Sequence, residues 1–216
     1  MLIAEDLLLL LVDQETGKFV TKRPLDGVLA GALLFELAGA HRLELSGDEG
    51  RLFVQDAADT GDTILDEALE RLVDAEGARP EDALGELAPG LRRRLLDGLA
   101  ARGVLTEEAG ATLGVFTTTR WQVGDPGHVA ALRGQVHEVL VEGEDPDERT
   151  AALIALLATI DVLHKVVEAP DRSLLAMRAA HVAEDAWHAD AVEAAIAKGT
   201  DSVFGASIVD GGLALP

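Results

Sequence analysis

The sequence predicts a mainly α fold, a single-domain helical bundle around a central apolar helix, with short β-hairpins. Three observations lead there. Hydrophobic residues make up 48% of the 216 residues and aromatics only 3%. The core is therefore built from Leu, Ala and Val, and Leu- and Ala-rich segments with few β-branched runs favour helices. Several stretches repeat apolar residues at helical spacing, as Ile64, Leu65, Ala68, Leu69 and Leu72 do. Residues 25–38 are apolar nearly all round, the pattern of a helix enclosed on every side. The length suits one domain, assigned to residues 1–198, and the Gly-rich, weakly periodic residues 199–216 are expected to be a loosely held tail.

The elements follow in order. Residues 4–11 read as a short buried helix. LVDQETGKFV reads as a hairpin turning at Thr16-Gly17. Pro24 suits the start of the central helix, with Asp26 as its candidate cap. HRLEL and RLFVQD flank SGDEG as a second hairpin, and residues 62–73 form an amphipathic helix. Residues 78–88 read as a Pro-containing connection with a short helical turn. Residues 91–101 form a helix that ends at Gly103 in a left-handed cap. TLGVFTTTRWQV reads as a third hairpin or an extended ribbon, closed by GDPG. Three longer helices follow at 128–141, 147–168 and 171–198, separated by Asp145-Pro146 and Ala169-Pro170.

The formal charge is −21, which argues against general attraction to nucleic acid or to an anionic membrane, so any such contact must be local. There is no cysteine, which excludes disulfides and thiolate metal sites. The apolar run at residues 7–12 follows Glu5 and Asp6 rather than Lys or Arg, unlike a secretory signal. No stretch reaches the ~20 apolar residues that span a bilayer. The expected location is cytoplasmic, peripheral at the inner face of the membrane. The Ala, Gly, Leu and Arg bias points to a GC-rich bacterial genome.

Four constellations have chemical potential. His181, Asp185 and His188 share a helix face, with Glu184 close by and Asp161 and His164 as partners from elsewhere. Imidazoles and carboxylates so spaced can bind a metal, but a polar outer helix face explains them more simply, and no metal is assigned. No serine sits in a nucleophile elbow, and no phosphate-cradling glycine loop or dinucleotide fingerprint is present. The expectation is a non-enzymatic protein without a cofactor. Helix 91–101, GVL and the following ribbon mimic a winged helix, with Arg92, Arg93, Arg94 and Arg102 facing DNA. The chain lacks the broad basic face this needs, so no nucleic-acid partner is expected. Finally, Arg92, Arg93 and Arg94 and the separate run Lys18, Lys22, Arg23 are basic islands that can converge on one phosphate, while Arg93 can instead pair with Asp97 one turn on.

Taken in order, several stretches resemble the Golgi phosphoprotein 3 family over about residues 2–192. They are EDLLLLLVD, GVLAGALLFELAGAHRLEL at 27–45, GDTILDEAL at 61–69, RRRLLDGLAARGVLTEE at 92–108, TTTRW at 117–121 and RTAALIALLATIDVL at 149–163. The resemblance implies a mostly helical domain that binds phosphatidylinositol 4-phosphate as a peripheral membrane protein. In the family a Trp and an Arg entering the central helix, and an Arg pair at the start of the helix ending in GVL, hold the headgroup. Here those positions fall at Thr21, Ala30, Pro89 and Arg92, so only the last is kept. Lys22, Arg23, Arg92 and Arg93 are the expected phosphate-binding residues. Leu113, Val115, Phe116 and Trp121 are the expected membrane or oligomer hairpin, with a hairpin folded onto its own domain as the equal alternative. The implied partners are an anionic phospholipid headgroup, a second copy of the chain and a further protein. The alternative function is an oligomeric interaction scaffold that has lost lipid binding.

Overall fold

The computed structural model describes residues 1–46, 50–109 and 119–185. Among these the chain is mainly helical with two short antiparallel sheets, as the composition predicts. Helix α1, Ile3–Leu10, is buried along its whole length. It packs against α2, Asp26–Gly39, whose residues from Val28 to Phe35 are all buried. Two apolar helices therefore share the centre, each too hydrophobic to leave a face to water.

Between them residues 11–20 form the expected hairpin. Val12 and Phe19 bridge, and Gly17 takes the left-handed conformation at φ 66°. The Asp13 carboxylate closes the turn by accepting from the Thr16 backbone N–H at 2.8 Å and its hydroxyl at 2.6 Å. Strands β1, Leu43–Ser46, and β2, Arg51–Val54, make the second hairpin, with Leu43 opposite Val54 and Ser46 opposite Arg51. Helix α3, Thr63–Asp74, starts at Asp62, which accepts from the Ile64 N–H at 2.9 Å.

The connection expected at 78–88 contains a full helix, α4, Pro80–Leu87. Pro80 sits in the first turn, where its missing N–H costs nothing, and Ala83, Leu84 and Leu87 are buried. Helix α5, Leu91–Ala101, follows, and Gly103 ends the segment at φ 69°.

Of the hairpin or ribbon expected at 112–123, residues 119–123 form strand β4, Thr119–Val123, which pairs with β3, Leu105–Ala109, immediately after α5; residues 112–118 lie outside the described residues. LTEEA is charged and short, so its alternation gave little signal. Helix α6, Pro126–His137, runs into a π-helical turn, Glu138–Glu142. The helix expected at 147–168 is broken. Helix α7, Glu148–Thr159, stops before Asp161, whose φ of 56° is left-handed, and a short α8, Leu163–Val166, follows. Helix α9, Arg172–Asp185, packs on α7. The expected tail at 199–216 lies outside the described residues.

Candidate anion-binding site

Arg92 is the centre of the site, and three local features hold it. Gly90 enters α5 at φ 71° and supplies no side-chain cap. Asp26 reaches over from α2 instead, its carboxylate accepting from the Arg92 backbone N–H at 3.2 Å. Asp26 was expected to cap its own helix; it caps α5 in trans, which spacing within one helix cannot reveal. The Arg92 guanidinium lies over the Phe19 ring, 4.4 Å from its centre. Phe19 in turn meets Trp121 edge-on, with ring centres 6.5 Å apart.

Phe19 and Asp26 are the two ends of the segment that carries Lys22 and Arg23. Both ends are tied to Arg92, so the segment lies beside the start of α5. Lys22 and Arg23 are exposed on it. Thr21, at the family's Trp position, uses its hydroxyl to accept from the Arg23 N–H at 3.1 Å and offers no aromatic face. Lys22, Arg23 and Arg92 form no salt bridge among the described residues. The Arg92 Nε is buried without a hydrogen-bond partner. Burial pulls the Arg92 guanidinium below its ordinary value, while the Asp26 charge acts in the opposite sense.

The neighbouring arginines behave otherwise. Arg93 was expected beside Arg92 at the phosphate, but it is fastened to Asp97 one turn on, at 2.9 Å. That contact raises its affinity for its proton, and the Asp97 carboxylate offsets its charge. Arg94 pairs with Glu67 of α3, and Arg102 pairs with the buried Glu5 of α1. The run of three thus serves three different partners, and only Arg92 keeps its charge available.

Trp121, expected on a ribbon in contact with membrane or partner, is 8% exposed and belongs to the chain's own core. Strand alternation turns it inward against Phe19, while Arg120 and Gln122 point out. Leu113, Val115 and Phe116 lie outside the described residues. So does His188, and no group of three His, Asp or Glu placed to hold a metal is found among the described residues.

Sequence reasoning missed two cations near the site. Lys165 of α8 donates from its Nζ to the Val20 carbonyl at 2.8 Å. Arg120 of β4 lies beside Gly17, at the turn of the hairpin that carries Phe19. Neither has a sequence neighbour that marks it. A hydrogen bond between residues 145 apart can be seen only in three dimensions.

A cavity of about 1440 Å³ lies elsewhere, between α2, α7 and α9. Glu36, Glu144, Asp145 and Glu148 border it, against Arg149 and Arg178. Its acidic edge disfavours an anion, and the Arg92 site is where an anion meets net positive charge. No helix among the described residues is long and apolar enough to cross a membrane. No curated protein was found that matches the chain. The family model described as Golgi phosphoprotein 3 (GPP34) matches residues 3–198, nearly the whole length, and the chain belongs to that family.

Proposed function

We propose that this chain is a peripheral membrane adaptor without catalytic activity. It binds the headgroup of an anionic phospholipid, phosphatidylinositol 4-phosphate or a related one, through Lys22, Arg23 and Arg92. The observation that carries this is the state of Arg92. It forms no salt bridge among the described residues, while Arg93 and Arg94, one and two positions on, are paired with Asp97 and Glu67. A guanidinium braced on an aromatic ring beside two exposed cations suits a phosphate, which takes paired N–H donors.

The test is flotation with vesicles of graded anionic content, with and without phosphatidylinositol 4-phosphate, at low and physiological salt. Wild-type protein should float, and Lys22→Glu combined with Arg92→Glu should abolish flotation. Unchanged binding by the double variant overturns the site. A second reading, an oligomeric scaffold without lipid binding, is favoured by Thr21, which gives the headgroup nothing to stack on. In that case wild-type protein sediments as an oligomer and floats with no vesicle.

A further inference from the structure

We propose that Thr21 is a phosphorylation site, and that its phosphate occupies the surrounding cations and closes the site to an anionic headgroup. The proposal rests on reading the site as a headgroup-binding one and names its regulation. Its own observation is the state of the Thr21 hydroxyl, which faces cations and not a carboxylate.

Other threonines differ in this respect. Thr16 donates its hydroxyl proton to Asp13 at 2.6 Å, and Thr60 donates its own to Asp66 at 2.6 Å. A phosphate on either would stand against a carboxylate. Thr21 Oγ1 instead accepts from the Arg23 N–H at 3.1 Å, and its proton meets no acceptor among the described residues. Lys22 and Arg23 follow it directly and are exposed. Arg92 brackets it. The guanidinium covers the ring of Phe19, two residues before, and the Arg92 N–H donates to Asp26, five residues after. Lys165 donates to the carbonyl of Val20, the residue before Thr21, at 2.8 Å. Four cations against the one carboxylate of Asp26 leave about +3, and a phosphomonoester of roughly −1.5 to −2 removes most of it.

The same charges suit the enzyme that installs the phosphate. Lys18 lies three residues before Thr21, Lys22 and Arg23 lie one and two after it, and all three are exposed. Protein kinases select substrates by such charge patterns, and a basic segment stands out in a chain of net −21. In the transfer, Thr21 Oγ1 bonds to the γ-phosphorus of a nucleoside triphosphate. The bond from that phosphorus to the β–γ bridging oxygen breaks, and the nucleoside diphosphate leaves. The hydroxyl proton passes to the aspartate base of the kinase. The new phosphoryl oxygens lie one bond beyond Oγ1, close to the Arg23 N–H that Oγ1 already engages. Charge-assisted bonds from these cations then hold the phosphate in the place of a headgroup.

Three measurements test this. A serine/threonine kinase selective for basic segments, given the chain and ATP, should label Thr21, and Thr21→Val should lose that label. Peptide mass mapping that finds Thr21 unmodified overturns the proposal. The chain made with phosphothreonine at position 21 is then floated on vesicles containing phosphatidylinositol 4-phosphate. It should bind about tenfold or more weakly than wild type, phosphatase should restore binding, and Thr21→Val should stay within about twofold of wild type. Equal binding by the phosphorylated chain overturns the switch while the headgroup reading stands. Wild type that floats on no vesicle removes the headgroup reading and the switch with it. Phosphorus NMR needs no membrane. The second ionisation of the phosphate, ordinarily at about 6, should move down, and Arg92→Gln should reverse part of that move. An ordinary value, unaffected by Arg92→Gln, means that the phosphate does not engage the cations and overturns the proposal.

Discussion

Asp6→Asn is expected to destabilise the fold by about 2–4 kcal/mol. Asp6 sits in α1 and is 2% exposed on its side chain. One carboxylate oxygen accepts from Arg149 Nη2 at 2.6 Å and Nε at 3.1 Å; the other contacts His128 Nε2 at 2.7 Å. An amide keeps the volume but removes the charge, and it replaces one accepting oxygen by an NH2 donor, so Arg149 or His128 loses an acceptor. Two charge-assisted bonds at roughly 1.5–3 kcal/mol each set the upper limit. The loss is smaller because Arg149 keeps other partners, the Glu36 carboxylate at 3.4 Å and the Met1 carbonyl at 2.7 Å. Arg149 is also 36% exposed, so water replaces part of what it loses. For a chain of this size the midpoint should fall by roughly 10 °C. Urea titration followed by far-UV circular dichroism measures the change, with the m-value unchanged. The loss should also hold between low and high salt, because the pair is shielded from the Debye atmosphere. A loss below about 1 kcal/mol would refute the view that this buried network anchors α1 to α6 and α7. Arg149→Met in the Asp6→Asn background then distinguishes coupling from independent effects.

Two further substitutions probe the supports of the site. Gly124→Ala places a Cβ 2.5 Å from the Gly103 carbonyl oxygen, a backbone atom held by the turn after α5, so a loss of about 2–3 kcal/mol is expected in urea titration. Gly98→Ala in α5, whose Cβ meets nothing within 4 Å, is the control and should be neutral or stabilising by up to ~1 kcal/mol. At α7, the Thr150 hydroxyl first and its backbone N–H second hold the Asp147 carboxyl below its ordinary value of 3.8. A depressed folded value means that Asp147 contributes stability above the unfolded value and loses it as pH falls through the folded one. Asp147→Ala should therefore cost about 1 kcal/mol at neutral pH, and the difference should begin to shrink only below about pH 4 and close once the pH is under the folded value; a constant difference down to acid pH would contradict this.

Periodicity carried most of the helical frame. Residues 62–73 and 91–101 could be placed because their apolar stripes and their Asp62 and Gly103 ends are local signals. The break at Asp161 was not legible. An aspartate in the left-handed region is unusual, and the apolar run on both sides of it, residues 151–167, continues the helical pattern unbroken. Strand β3 was missed because Thr106, Glu107 and Glu108 are exposed beside the buried Leu105, and its pairing with β4 depends on a partner further along the chain. At the site, Arg92 was reached by resemblance and Lys22 and Arg23 by charge. What decides their availability is tertiary. Arg93 and Arg94 have the same chemistry as Arg92, and only Asp97 and Glu67 distinguish them.

That partition also bears on how so acidic a chain can meet an anionic surface. Arg42, Arg93, Arg94, Arg102 and Arg149 each hold a carboxylate, and they lie on several faces of the fold. Lys22, Arg23, Arg92 and Lys165 hold none among the described residues, and all contact or flank the segment from Phe19 to Asp26. Four such cations thus meet at this segment, while Arg71, Arg133 and Arg178 elsewhere hold backbone carbonyls rather than carboxylates, and the whole chain carries a net −21. Beyond a Debye length of about 8–10 Å that net charge is screened, so repulsion does not bar approach at physiological salt. Within that distance the two regions act oppositely. The unpaired cations attract phosphate. If the chain binds an anionic headgroup as proposed, its acidity favours the orientations that bring this face to the phosphate.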